Sequence, residues 1–378
     1  MNTSTHENGR LTLPGFTDLY ARLREPGPSR RGTLASESRA ALAAGFTRVC
    51  ASPDTDPAID ATATVELVQH HAAAANCARV LPLAALTTDL DGERLTELAT
   101  LKGLGCVAAS QADQALGDTR LLYDAMAYAA SFDLPLIMRA RDSRLGINGC
   151  AHEGAVATRL GLRGIPIASE TIALARLLEI LRETGGRLHV SRLSSARAVD
   201  MISEAKQDGL NVTCDVGIAH LYFTEVDIDG FDARFASAVP FRAISDREAL
   251  KAGVRNSTID AICSDHAPLD ADASLAPFPQ AEPGLSMFDR FMGLWLALPT
   301  LCDIPFERAL DAVTDAPSRI LELPASKDVV HVDRENVSDT WLSRGRNSPL
   351  LDAASLPNGT ALPGRVTRVE LDGQLIDF

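Results

Sequence analysis

Eight short apolar runs recur along the 378-residue chain, at 13–20, 46–53, 79–86, 105–110, 134–140, 187–193, 211–216 and 261–268. Between them lie segments with helical spacing and good helix formers, at 36–44, 64–75, 95–101, 121–131, 172–184, 196–208 and 246–253. Continuous runs of Val, Ile, Leu and Ala predict strands buried on both faces. Eight of them, each followed by a helix, predict an α/β chain closed into a (β/α)8 barrel rather than a doubly wound sheet. Two further helices are expected after the last run, at about 286–298 and 305–315. The first of these contains the apolar stretch 287–295 and should pack on the barrel.

From about Pro324 the texture changes. Residues 329–333 and 339–342 read as strands, and 366–377 as a hairpin turning at Asp372-Gly373, because Asp-Gly suits the left-handed positions of a two-residue turn. The expected division is a barrel over 13–323, a β segment over 324–378 forming most of a small partial sandwich, and a short lead over 1–12.

Composition excludes several function classes. The chain is 46% hydrophobic and 23% charged, enough to bury a large core, and no stretch approaches the ~20 uninterrupted apolar residues of a membrane span. A net charge of −14 argues against a nucleic-acid or anionic-membrane surface. The polar start MNTSTHENGR lacks the apolar core of a signal peptide, and the seven cysteines show no paired spacing. They read as free thiols in a reducing, cytoplasmic setting.

Chemistry in a parallel barrel sits where strands end and loops begin. The segments LPGFTDLYARLREPG (13–27), GFTRVCASPDTDP (45–57), His152-Glu153-Gly154 with LGLRGIPIASE (160–170), and SDHAP (264–268) fall at such places, in order. They resemble dihydroorotases and, more broadly, the amidohydrolase-type TIM barrels, over about residues 13–378. The resemblance implies one or two zinc ions held by an H-x-H on strand one, an acid or modified lysine on strand four, histidines on strands five and six, and an aspartate on strand eight. In this chain those places read Tyr20 and Arg22, then Ser110-Gln111-Ala112-Asp113, then Arg139, Arg192 and Asp265. Guanidinium is permanently protonated and offers no lone pair, so the ligand count fails, Asp113 is expected to be displaced, and no metal is expected.

Substrate contacts change too. Arg24 matches the family arginine that grips the substrate carboxylate, but the second-loop asparagine is Asp54, the one expected before Pro240 is Ala238, and the histidine after D-H-A-P is Leu269. The arginines either fill a vacated pocket or keep an anion site, and both readings stand. Three guanidiniums turned on Asp113 and Asp265 would replace the metal charge and leave a positive excess. His189, His220 and His266 are expected to be packing residues rather than a new metal or acid/base site. Ser194-Ser195 shows no base partner, and Asp265 and His266 face opposite sides of their strand.

Family barrels usually carry a longer segment before strand one, whereas twelve residues precede Leu13, so either the sandwich is reduced to its C-terminal half, with open sheet edges expected at 366–377, or the start codon is placed too late. The pattern resembles the non-catalytic dihydroorotase homologue that partners bacterial aspartate carbamoyltransferase in a mixed dodecamer. The resemblance implies an inactive scaffold or regulatory subunit of pyrimidine biosynthesis. The alternative is a dihydroorotase or other cyclic-amide hydrolase on a rebuilt site.

Overall fold

In a computed structural model, residues 5–7, 9–337, 341–352 and 355–378 are described. Eight parallel strands, Phe16–Ala21, Phe46–Ala51, Arg79–Ala85, Ala108–Ser110, Leu136–Met138, Leu188–Val190, Val212–Gly217 and Ala261–Cys263, lie side by side in chain order. The ring closes through a bridge between Ala21 and His266, where Arg22 N donates to His266 O at 2.8 Å. At the opposite end Thr17 N and Ile262 N donate to Val313 O and Ala312 O, so the chain after the helix Phe306–Asp311 covers both strands. Each expected run therefore holds a strand.

Two apolar layers fix this shape. Leu19, Cys50, Leu83, Ala108, Ile137, Ala261 and Cys263 fill the barrel, joined by Ile320 and Leu321. The larger layer lies between strands and helices, and removing that apolar surface from water is the main favourable term in folding. Helix starts follow local chemistry: Thr33, Asp118 and Ser195 cap the helices Leu34–Ala43, Thr119–Ala130 and Ala196–Gln207 with their own side chains. The helix Phe288–Leu301 packs as expected, with Trp295 5.0 Å from Phe16 and Phe291 4.5 Å from Phe46, centroid to centroid.

The run 13–20 is not one strand. It divides at Gly15, where an added Cβ would stand 2.2 Å from Thr47 Oγ1, so only glycine lets the chain pass from one sheet to the other. Arg10–Pro14 instead pairs antiparallel with Val329–Asp333, Leu13 opposite Val330. A second sheet runs in the order Thr5–Glu7, Arg10–Pro14, Val329–Asp333, Arg365–Leu371, Gln374–Asp377. The N-terminal residues are thus part of this one five-stranded sheet, and its C-terminal edge is Gln374–Asp377 alone. The hairpin turns at Asp372-Gly373, with φ of 50° and 80°.

Three smaller differences follow. The helix expected at 305–315 is two, Phe306–Asp311 and Asp315–Ile320. Of the strand expected at 339–342, residues 339 and 340 lie outside the described residues, and 341 and 342 are irregular. A short excursion pairs Ala151–His152 with Gly164–Ile165 around the helix Ala155–Leu160. Among the described residues no helix is long and apolar enough to cross a membrane.

Candidate functional site at the barrel mouth

The strands deliver their chemistry to one rim. Tyr20 stands on the first strand with Arg22 and Arg24 just beyond it, and Asp54, Asp113, Arg139, Arg192 and Asp265 follow the second, fourth, fifth, sixth and eighth strands. Arg24, Ala112, Arg192 and Asp265 hold φ of 65°, 50°, 59° and 49°. Such left-handed backbone costs a non-glycine residue about 1–3 kcal/mol and persists only where packing over-determines it.

Asp113 is the hub. Its Oδ1 accepts from Arg139 Nη1 at 2.8 Å and Arg192 Nη2 at 2.7 Å, and its Oδ2 from Arg22 Nη2 at 2.5 Å. Arg22 Nε reaches Asp54 Oδ2 at 2.6 Å, and Arg192 Nη1 reaches Asp265 Oδ1 at 2.9 Å. The Arg192 guanidinium, 2% exposed, lies 3.7 Å from the Tyr20 ring centroid, a cation–π contact strengthened by desolvation. Tyr20 is therefore matched to Arg192 rather than a filler, and its hydroxyl accepts from Ser52 Oγ at 3.1 Å.

Two expectations are corrected here. Asp113 is not displaced: the left-handed turn at Ala112 swings it inward, while Gln111 is tied to Thr87 Oγ1 and Leu90 O. Nor does this network keep a positive excess, because Asp54 joins it and three carboxylates face three guanidiniums. Burial alone would raise the Asp113 carboxyl, but Arg192, Arg22 and Arg139 override it and hold it well below the ordinary range. Burial opposes ionisation of Asp54 as well, and Arg22 again wins. Arg22 and Arg192 are pushed up by their carboxylates against the same penalty.

These residues do not fit the family's zinc. Four of the implied ligand places hold a phenol or a guanidinium, and among the described residues no cluster of three or more His, Cys, Asp or Glu side chains is placed to hold a metal. The remaining histidines are used elsewhere. His189 lies between Thr213 Oγ1 and Asp215 Oδ2, both at 2.9 Å. His266 reaches Glu37 Oε2 at 2.9 Å, accepts from the backbone of Met287 and Phe288, and stacks on Phe288. His220 Nε2 reaches Val239 O at 3.0 Å, and burial lowers its pKa to about 4.

Above the network opens a cavity of about 490 Å3, lined in part by Arg24, Arg139, Arg141 and Arg242. Arg24 Nε donates to Pro268 O at 2.9 Å, Arg139 also donates to Ala238 O, and Leu269 is buried. Ser194 and Ser195 do have a carboxylate partner: Glu170 Oε2 accepts from both hydroxyls, and Arg242 Nε donates to Ser194 Oγ at 2.8 Å. Arg141, Arg242, Glu170 and the Arg242-bonded His152 were not singled out from the sequence as site residues. Arg141 was within reach, since it follows Arg139 at the two-residue spacing that returns an extended chain to the same face. Arg242 and Glu170 meet only in three dimensions.

Residues 9–198 match the family model described as Dihydro-orotase-like. A dihydroorotase-like protein of Pseudomonas aeruginosa is 40% identical over 379 residues, covering 97% of this chain and 88% of the relative. The chain belongs to the dihydroorotase-like family. A dihydroorotase of Anaeromyxobacter dehalogenans is 38% identical over 383 residues, covering 97% of this chain and 86% of its own length. Among solved structures, the L-hydantoinase of Arthrobacter aurescens superposes with a TM-score of 0.81 at 18% identity, covering 98% of this chain and 86% of that one. An inactive dihydroorotase-like domain of a Chaetomium thermophilum CAD-like multifunctional protein gives 0.67 at 19% identity, covering 98% and 95%. These two likenesses support the amidohydrolase fold.

Proposed function

We propose that this dihydroorotase-like chain is non-catalytic and zinc-free, and serves as a cytoplasmic scaffold or regulatory subunit of aspartate carbamoyltransferase in pyrimidine biosynthesis. The observation that carries the first half is Asp113 bonded to Arg22, Arg139 and Arg192. Family chemistry needs a cation to polarise an amide and acidify a water, and this cluster supplies fixed, mutually neutralised charges instead. The inactive dihydroorotase-like domain of the Chaetomium thermophilum CAD-like multifunctional protein supports the reading by analogy, since it too is an inactive barrel held within a larger protein. A fold kept without its chemistry is kept for its surfaces.

A competing hydrolase reading has Ser194 in its favour, set at the cavity between Glu170 and Arg242. The Arg242 N–H occupies a hydroxyl lone pair, and a carboxylate is a weak base toward an alcohol, so this geometry holds the serine rather than activating it.

The test joins two measurements. Purified chain should not hydrolyse dihydroorotate above background, with or without added zinc. Co-expressed with the aspartate carbamoyltransferase of the same source, it should elute as one large complex on size exclusion. Turnover of ~1 per second or faster would end the non-catalytic reading, and separate elution at micromolar concentration with a fully active transferase would end the subunit reading.

A further inference from the structure

Exposed apolar surface and charge are both uneven over this molecule. Of eleven large apolar side chains exposed among the described residues, six stand around one sector, beyond the fifth and seventh barrel strands. Leu145, Ile147 and Ile172 form one side of it, and Val226, Phe231 and Ile244 the other. On the first side the Ser169 hydroxyl, one helical turn before Ile172, donates to Leu145 O at 2.9 Å. On the second, Glu225 N donates to Arg242 O at 2.8 Å and Arg247 Nη1 to Tyr222 O at 3.1 Å, which seats the start of the helix Ile244–Arg255 against residues 222–226. The two sides adjoin at a seam, where Arg159 pairs with Asp229 at 3.0 Å and a Cβ on Gly154 would stand 2.6 Å from Glu225 Oε2.

The sides carry opposite charge. Over residues 141–167, Arg141, Arg144, Arg159 and Arg163 stand against Asp142 and Glu153, an excess of two positive charges. Over 222–236, Glu225, Asp227, Asp229 and Asp232 stand against Arg234, an excess of three negative charges. All four arginines of the first side are exposed, and of them Arg159 alone is ion-paired among the described residues. Phe231, 46% exposed, holds φ of 57°, a left-handed conformation unfavourable for a bulky residue, and keeps its ring in solvent. Aromatic and arginine side chains are the ones enriched where protein surfaces meet.

A chain of net charge −14 repels its own copy at long range, so self-association needs a face where charge is locally compensated. This sector is such a face. A twofold axis sets the basic side of one copy on the acidic side of the other, and does so twice, which is the self-complementarity of an isologous dimer. Each side also brings three exposed apolar side chains to be taken out of water. We propose that this sector is a docking surface for a second copy of the chain, in a twofold dimer where segment 141–167 of each protomer faces segment 222–236 of the other. The inference goes beyond the subunit reading and does not depend on it.

Sedimentation velocity of the full chain alone, at micromolar concentrations and physiological salt, tests it. A reversible equilibrium between monomer and dimer is expected. Ile147→Asp and Phe231→Asp should each weaken dimerisation about tenfold or more, as loss of a buried anchor does, while Leu375→Asp, exposed on the terminal strand, should leave it unchanged. Charge reversal gives a second readout. Arg144→Glu combined with Arg163→Glu, and separately Asp229→Lys, should each weaken the dimer, and an equimolar mixture of these two proteins should regain heterodimer, since each altered side then meets its complement. Thermal melts confirm which variants are folded, so one that fails to fold leaves the others to decide. A chain that stays monomeric throughout the micromolar range, or a dimer untouched by both aspartate substitutions at Ile147 and Phe231, overturns the proposal. So does a monomeric parent whose complex with the transferase is lost in those two variants, because the surface then belongs to that partner. The outcomes separate from those of the previous section. Dihydroorotate turnover or a missing transferase complex removes the subunit reading, whereas a monomeric chain removes only this one.

Discussion

Removing the Asp113 carboxylate would take a partner from three guanidiniums at once and strand one of them. Arg192 would keep Asp265 and the Tyr20 ring, and Arg22 would keep Asp54, but Arg139 would be left with Ala238 O alone. A buried ion pair adds little net stability, yet deleting one partner leaves buried charge uncompensated. Asp113→Ala should therefore cost about 3–5 kcal/mol in urea unfolding. Asp54→Ala, on the more exposed flank and paired with one arginine, should cost less. A loss below about 1 kcal/mol for Asp113→Ala would mean that water already screens the cluster. The arginines of this network were legible in the sequence because barrel strands fix where their last residues point. Asp113 was not, since its placement depends on a left-handed alanine at 112, a conformation that alanine does not advertise.

At the scale of elements, the strand and helix alternation was readable because each strand is buried on both faces and loses its polar alternation. The second sheet was readable at its C-terminal end, where Asp372-Gly373 marks the hairpin. Its N-terminal half was hidden. Leu11 and Leu13 are the buried faces of a five-residue strand that runs through Gly15 into the next apolar run, so periodicity alone merges two sheets into one strand. The pairing of Leu13 with Val330 makes a direct prediction. Leu13→Ala should cost about 2–5 kcal/mol, the range for a fully buried leucine, and Val330→Ala a comparable share in the same chemical-denaturation series. If residues 10–14 were only a lead into the barrel, Leu13→Ala would change stability by no more than about 0.5 kcal/mol.

For the whole molecule, buried titratable groups of opposite sense set how stability follows pH. Asp18, fully buried beside Ser264, has its pKa raised from 3.8 to about 7 by desolvation. The unfolded chain ionises it first, so folding loses stability as pH climbs from about 4 to 7, by up to roughly 4 kcal/mol, and the loss is complete above that window. Asp289, raised by burial, acts in the same direction. His220, lowered from 6.5 to about 4, does the reverse: its contribution is present above 6.5 and is lost as pH falls toward 4. Asp113 and Asp54, both lowered, lose theirs only at more acid pH, when the network protonates. Between about pH 4 and 7 Asp18 and His220 oppose each other, so the protein should show a nearly flat plateau there and a steep acid collapse below it. Asp18→Asn keeps the shape and can still accept the Ser264 N–H, but it removes the ionisation penalty. That variant should be more stable than the parent at about pH 8, and its advantage should vanish toward about pH 4, leaving the His220 slope exposed. Urea midpoints at three pH values decide it. A variant that merely tracks the parent at constant offset would show that Asp18 stays ionised in the folded barrel, and the balance of opposing groups would then be wrong.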